Sequence, residues 1–158
     1  MKHLKTCIVI SLDGFIARKD GDLNWMPGNI KKEISAAYEI PSVFIAGVNT
    51  YNMIFRNWGG WPYKSKKTFV VSHYDTNVTR KDNVTFLTDV PLRAINELKS
   101  SSETDIQVIG GGKFITSLIE ASLLDEITLY IVPVMLGDGI KFIGKTLDRK
   151  STRLNSSH

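Results

Sequence analysis

The segment Ile106-Gln107-Val108-Ile109-Gly110-Gly111-Gly112-Lys113-Phe114 constrains the fold more than any other part of the chain. An apolar run stops at three glycines and then resumes at helical spacing. Ile106 to Ile109 has the length and composition of a buried strand, and Phe114, Ile115, Leu118, Ile119 and Ala121 recur on one helical face. A strand that becomes a helix through glycines leaves backbone N–H groups unpaired at the helix start. It also presents the positive end of the helix dipole, with no Cβ to hold a ligand away. Such a junction suits an anion, most often a phosphate, and it equally suits a tight packing turn. Spacing excludes two named phosphate motifs. A P-loop requires glycine at 107 and Ser or Thr after Lys113, where Gln107 and Phe114 stand. The dinucleotide fingerprint requires glycine at 115, where Ile115 stands.

A second junction of this kind precedes it. Pro41 ends a helix whose apolar stripe is Ile30, Ile34, Ala37 and Tyr38, with Asn29 as its expected cap. Residues 42–47 then read as a buried strand ending at Gly47, and Asn49 and Thr50 open a short helix through Phe55. Residues 4–12 form a strand, Asp13-Gly14 a turn, and Phe15-Ile16-Ala17 an extended continuation. Residues 68–72 and 84–87 are further strands, and Asp89-Val90-Pro91 starts a helix with Leu92, Ile95 and Leu98 inward. Residues 124–134 alternate as a long strand, and 140–143 return as an edge strand after the turn Gly137-Asp138-Gly139. Helices between buried strands predict an α/β, three-layer fold with a mostly parallel central sheet and helices on both faces. The long late strand predicts an antiparallel C-terminal edge. Ligands bind such sheets beyond the carboxyl ends of the strands, where Ser11, Gly47, Ser72 and Gly110 fall.

Composition narrows the function classes. A chain of 158 residues with 42% hydrophobic and 23% charged residues is one globular domain with a real core. The net charge of +4 is mildly basic, but the lysines are scattered, so no nucleic-acid partner is expected. Cys7 is the only cysteine, so no internal disulfide can form and nothing argues for an oxidising compartment, and its place in a strand pattern points to a buried thiol. His3, His73 and His158 lack metal-ligand spacing, so no metal is expected. No run is long enough to span a membrane, and Asp13 and Gly14 interrupt any leader-like stretch, so the expected location is the cytoplasm.

The motifs together resemble the dihydrofolate reductase-like fold and, within it, the reductase domain of the riboflavin-pathway deaminase/reductase. Ser11-Leu12-Asp13-Gly14-Phe15-Ile16-Ala17 is similar to that domain's opening motif. Gly21-Asp22-Leu23-Asn24-Trp25 resembles the active-site loop of dihydrofolate reductase, with Asn24 where proline is usual. Gly47-Val48-Asn49-Thr50-Tyr51 and Val71-Ser72 resemble the motifs on the adenosine side of the cofactor. Ile109-Gly110-Gly111-Gly112-Lys113 resembles the turn that contacts its pyrophosphate and nicotinamide. Leu124-Asp125-Glu126, then Pro133-Val134-Met135-Leu136-Gly137-Asp138-Gly139 and Phe142, are similar to the closing motif of the riboflavin branch. The resemblance makes residues 1–147 the reductase domain. Residues 148–158 form a polar tail that resembles a cloning or read-through scar.

The resemblance implies NADPH as hydride donor, with NADH as the alternative, and a pyrimidine- or pteridine-type acceptor. Gly110, Gly111, Gly112 and Lys113 would hold the pyrophosphate, with Gly47, Asn49, Thr50 and Ser72 on the adenosine side. Asp13, Trp25 and Glu33 would face the substrate. Dihydrofolate reductases carry an acid on the helix after the loop tryptophan, and five residues past Trp25 this chain has Ile30, which disfavours folate as substrate. Val48 stands where an arginine commonly meets the cofactor's 2′-phosphate, with Lys113, His73 or Arg80 as possible replacements. Other readings are a dihydrofolate reductase, a dinucleotide-binding module without catalysis, and an α/β domain whose glycines are only turns. An uncovered sheet edge would invite pairing with a second subunit, as a homodimer, or instability.

Overall fold

The computed structural model describes residues 1–72, 83–88 and 92–142. Strands β1 (Leu4–Ser11), β3 (Val43–Gly47), β4 (Lys67–Ser72), β5 (Val84–Thr88), β6 (Ile106–Ile109) and β7 (Glu126–Val132) form one sheet in the order β5-β4-β3-β6-β1-β7. Every pairing in it is parallel. Strands β2 (Phe15–Ala17) and β8 (Ile140–Lys141) form a separate antiparallel pair. The antiparallel element at the C-terminal end is therefore β8, whereas the long strand β7 runs parallel to β1. The reason is connectivity. Helix α4 (Gly112–Glu120) carries the chain back to the amino end of the sheet, so β7 must start where β1 starts.

Helices α3 (Leu92–Ser101) and α4 cover one face, where Ile95, Ile115 and Leu118 pack with Leu4, Ile8, Ile45, Phe69 and Val108. Helices α1 (Gly28–Glu39) and α2 (Val48–Trp58) lie on the other, where Tyr38 and Tyr51 join Phe44, Trp61, Val70 and Ile109. The alternation of strand side chains between faces produces both cores. The second core is largely aromatic, with edge-to-face contacts such as Tyr38 on Phe44 at 5.6 Å and Tyr51 on Phe86 at 5.2 Å.

Three local expectations change. The α1 N-cap is Pro27, and Asn29 lies inside the first turn without capping it. The α1 stripe Ile30, Ile34, Ala37 and Tyr38 is only half-buried, so this helix stands less deeply on the sheet than α4 does. Helix α2 runs three residues beyond the expected Phe55, to Trp58, and ends at Gly59 in the left-handed region (φ 68°), which glycine adopts without a Cβ penalty. The helix start at Asp89-Val90-Pro91, the fourth residue of the expected strand 140–143, and the tail 148–158 lie outside the described residues.

Candidate functional site

Helices α2 and α4 start at the carboxyl ends of the neighbouring strands β3 and β6. Among the described residues neither start has a side-chain cap, and neither has an acidic residue in its first turn. Both therefore direct their helix-start N–H groups and a positive dipole end to the same rim. Thr50 ties them together: its Oγ1 accepts the Gly111 N–H at 2.9 Å. Asn49 and Lys113 are exposed beside these starts, and Ser72 is buried at the end of β4, one strand further out.

Packing explains three of the four junction glycines. A Cβ on Gly47 would meet Phe114 Cβ at 3.2 Å, and one on Gly110 would meet Phe114 Cδ1 at 3.0 Å. One on Gly112 would run into the Phe142 carbonyl oxygen. Gly111 differs, since its Cβ would meet nothing closer than Thr50 Oγ1 at 3.5 Å. The sequence reading expects all four glycines at a ligand, and the geometry shows that the small size of three of them is used inside the protein. The close approach of Phe114 was invisible in the pattern, because it depends on how deeply α4 settles onto β3 and β6.

Asp13 is half-buried and fully engaged. Its Oδ1 accepts from Ser11 Oγ at 2.6 Å and from the Leu136 N–H at 3.1 Å, and its Oδ2 accepts from the Gly137 N–H at 2.8 Å. The Ser11 bond, followed by those from Gly137 and Leu136, holds the carboxyl below the usual carboxylate range. Ser11 Oγ in turn accepts the Phe15 N–H at 3.0 Å. Asp13 thus pins the segment after β7 to the end of β1. A second tie joins the neighbouring loops through the ion pair of Lys19 and Asp138.

Trp25 sits on the loop between β2 and α1. Its indole N–H is buried and finds no acceptor among the described residues. The loop is held by backbone turns at Asp20 and Asp22 and by the Arg18 Nε bond to Asn24 Oδ1 at 2.9 Å. Glu33 is exposed on α1, and Tyr130 of β7 is half-buried near enough to Glu33 for its charge to be felt. Burial, then the nearby Cys7 and Glu33, push the Tyr130 phenol up. Burial likewise pushes the half-buried Cys7 thiol up. Of the predicted residues, Gly47, Asn49, Thr50, Gly110, Gly111, Gly112 and Lys113 come together at one rim. Glu33 stands with Tyr130 between α1 and the β1–β7 side. Tyr130 was missed as a site residue. Its signal was the alternation of β7, which sets it on the same face as α1. His73 and Arg80 lie outside the described residues.

A cavity of about 670 Å³ opens elsewhere, at the amino ends of β3, β4 and β5, where Ser42, Lys67, Asn83 and Thr85 line it. It lies at the opposite end of the sheet from both helix starts. No helix among the described residues is long and apolar enough to cross a membrane.

A family model described as the RibD C-terminal domain matches residues 2–158. The uncharacterized protein YwjB of Bacillus subtilis (strain 168) is 26% identical over 153 residues, covering 95% of this chain and 87% of YwjB. A Shewanella sp. PV-4 structure assigned to riboflavin biosynthesis is 29% identical, covers 90% of this chain and 84% of its own, and superposes with a TM-score of 0.77. The Thermotoga maritima diaminohydroxyphosphoribosylaminopyrimidine deaminase/5-amino-6-(5-phosphoribosylamino)uracil reductase is 17% identical. It covers 96% of this chain, which spans 51% of that protein, with a TM-score of 0.72. Dihydrofolate reductase from Enterococcus faecalis, complexed with NADP(H), is 17% identical with a TM-score of 0.67, covering 90% of this chain and 77% of its own. The last two likenesses show a dihydrofolate reductase-like fold.

Proposed function

Because this chain belongs to the RibD C-terminal domain family, we propose that it is a reductase that moves a hydride from NADPH to a pyrimidine- or pteridine-type heterocycle. The favoured acceptor is of the 5-amino-6-ribosylaminouracil-phosphate kind. The observation that carries this reading is the pair of uncapped helix starts at the ends of β3 and β6, joined by the Thr50–Gly111 bond. Two adjacent sets of free N–H donors suit a diphosphate, which has an anionic group for each. The residues present therefore fit a dinucleotide. Gly110, Gly111, Gly112 and Lys113 would hold its pyrophosphate, and Gly47, Asn49, Thr50 and Ser72 would line its adenosine side. NADH is the alternative donor, because Val48 offers no charge to a 2′-phosphate. When bound, the cofactor supplies the hydride.

This chain's own contribution is positioning and recognition. The orphan indole N–H of Trp25 is a donor awaiting an acceptor, and a buried donor without one costs about 1–3 kcal/mol. Glu33, next to Tyr130, is an acceptor for a ring N–H. Asp13 acts as a positioning residue, since its oxygens are occupied by Ser11, Leu136 and Gly137. The half-buried, apolar Ile30 favours the riboflavin-type acceptor over dihydrofolate.

The test is cofactor oxidation with the aminopyrimidine ribosyl phosphate and, separately, with dihydrofolate. It is run beside a tryptophan-fluorescence titration with NADPH and with NADH. We expect saturable quenching by NADPH and oxidation with the pyrimidine alone. Quenching without oxidation by any acceptor would make the chain a dinucleotide-binding module, and no saturable quenching in a folded sample would end the cofactor assignment.

A further inference from the structure

The cavity at the amino end of the sheet shares no residue with the candidate site, and its walls differ in chemistry. At about 670 Å³ it has the size of a small-molecule site. Its floor is apolar, made by the buried Val43 and Phe69 and the half-buried Leu98. Bonds across its edges fix the frame. The Lys67 N–H donates to the Ser42 carbonyl at 3.0 Å, the Thr68 N–H to the Asn83 carbonyl at 3.0 Å, and the Ser42 N–H to Thr104 Oγ1 at 2.9 Å.

The wall at the end of α3 is made of acceptors. Thr104 Oγ1 donates to the Asp105 carbonyl at 3.1 Å, so the Ser42 hydroxyl is the donor in its 2.9 Å bond to Thr104 Oγ1. The Ser102 hydroxyl donates to the Thr104 carbonyl at 2.6 Å, and that of Ser101 to the Leu98 carbonyl at 3.4 Å. With their protons placed inside the protein, these three hydroxyls have only lone pairs left to offer the cavity. The Glu103 carboxylate lines it beside them, just past the carboxyl end of α3, which is the negative end of the helix dipole. Lys99, the cation of that last turn, is engaged by Asp125 at 2.6 Å and takes no part in the lining. The strand wall has the other sign. Lys67, the first residue of β4, lines the cavity with its ammonium 5.3 Å from the centre of the Phe69 ring. Among the described residues no carboxylate pairs with Lys67 and no cation pairs with Glu103. We propose that this cavity is a second ligand site, which takes a free α-amino acid with a large apolar side chain. The ligand's carboxylate meets Lys67, its ammonium meets Glu103 and the serine hydroxyls, and its side chain lies on Val43, Phe69 and Leu98. A simple acid would leave the acceptor wall without a donor, and a simple amine would leave Lys67 without an anion, so only the zwitterion satisfies both. The proposal stands independently of the reductase reading.

The test is calorimetric titration of the full chain with L-phenylalanine, with phenethylamine, which lacks the carboxylate, and with 3-phenylpropanoate, which lacks the ammonium. We expect saturable binding of L-phenylalanine, with both analogues at least about tenfold weaker. Lys67→Met should weaken L-phenylalanine at least about tenfold and leave phenethylamine unchanged. Glu103→Gln should weaken L-phenylalanine and phenethylamine and leave 3-phenylpropanoate unchanged. Both substitutions are at exposed side chains, so the far-UV circular dichroism should stay that of the parent. Saturating NADPH should not change the titration, because the cavity lies at the other end of the sheet from both helix starts. No saturable binding of L-phenylalanine by a folded sample overturns the proposal. So does binding in which either analogue matches the amino acid, binding indifferent to both substitutions, or binding that NADPH displaces.

Discussion

The two ends of the parallel sheet are built on opposite rules. At the amino end several charged groups are paired. Lys99, only 6% exposed, meets Asp125 Oδ2 at 2.6 Å, and the same oxygen accepts the Leu4 N–H at 2.7 Å. Lys5 pairs with Asp105 at 2.8 Å, Asp105 also accepts the His3 N–H at 2.9 Å, and the Lys66 ammonium bonds the carbonyls of Glu39 and Pro41 at the end of α1. At the carboxyl end, two helix starts lack side-chain caps and an indole N–H lacks an acceptor among the described residues. The amino end holds the strands in register, and the carboxyl end carries the donors of the proposed site. Segregating the two would let that site stay unsatisfied without loosening the fold, since the bonds that fix the strand starts do not involve it.

The sharpest way to break this contrast is at adjacent glycines. Gly112→Ala drives a Cβ into the Phe142 carbonyl and should cost more than about 3 kcal/mol, read as a large fall in Tm. Gly111→Ala has room, so it should leave Tm nearly unchanged and weaken only the binding of the proposed dinucleotide. Equal losses of stability in the two variants would refute the packing explanation.

At the amino end, Lys99→Met removes the ammonium but keeps the stem volume. Asp125 is then left without its cation in a partly buried setting. Because Asp125 retains about a third of its exposure, the expected loss is about 2 kcal/mol in urea unfolding rather than the larger penalty of a fully buried pair. Dinucleotide affinity should be unchanged, and a parallel loss of affinity would mean that the two ends are coupled.

Thr50→Val at the carboxyl end keeps shape and removes the acceptor of the Gly111 N–H. The stability loss should be about 1 kcal/mol, with a roughly tenfold rise in the dinucleotide dissociation constant. The smallest effect is expected from acid. Asp13 has a folded-state pKa held below its unfolded value, chiefly by the Ser11 hydroxyl. Its contribution is therefore complete above the unfolded value of about 4 and is lost as pH falls through the folded one. Asp13→Asn should flatten that part of the stability–pH curve, and a variant with the parent's acid slope would show that another carboxylate is responsible.

Much of this organisation was legible in residue order. Ile106–Ile109 followed by glycines announced a strand–helix junction, and Gly47 with Asn49 and Thr50 announced its twin. Thr50 was chosen as a hydrogen-bonding side chain, but its bond to Gly111 was not foreseen, because those residues lie 61 positions apart. Asp13-Gly14 read correctly as a turn. That the Asp13 carboxylate reaches Leu136 and Gly137 depends on β1 and β7 lying side by side. The direction of β7 was misread because alternation reports which face a side chain takes and is the same for parallel and antiparallel strands.

By itself the sequence determined the element types, the glycine junctions and the family, since these follow from local propensity, periodicity and motif order along the chain. Only the tertiary structure decided that β7 is parallel, that Phe114 and Phe142 pack closely on three of the glycines, and that Asp13 holds a loop. It also decided that Glu33 lies near Tyr130 and that two helix starts share one rim. Each of these depends on contacts between residues distant in sequence, and such contacts take their geometry from how the layers pack rather than from any local pattern.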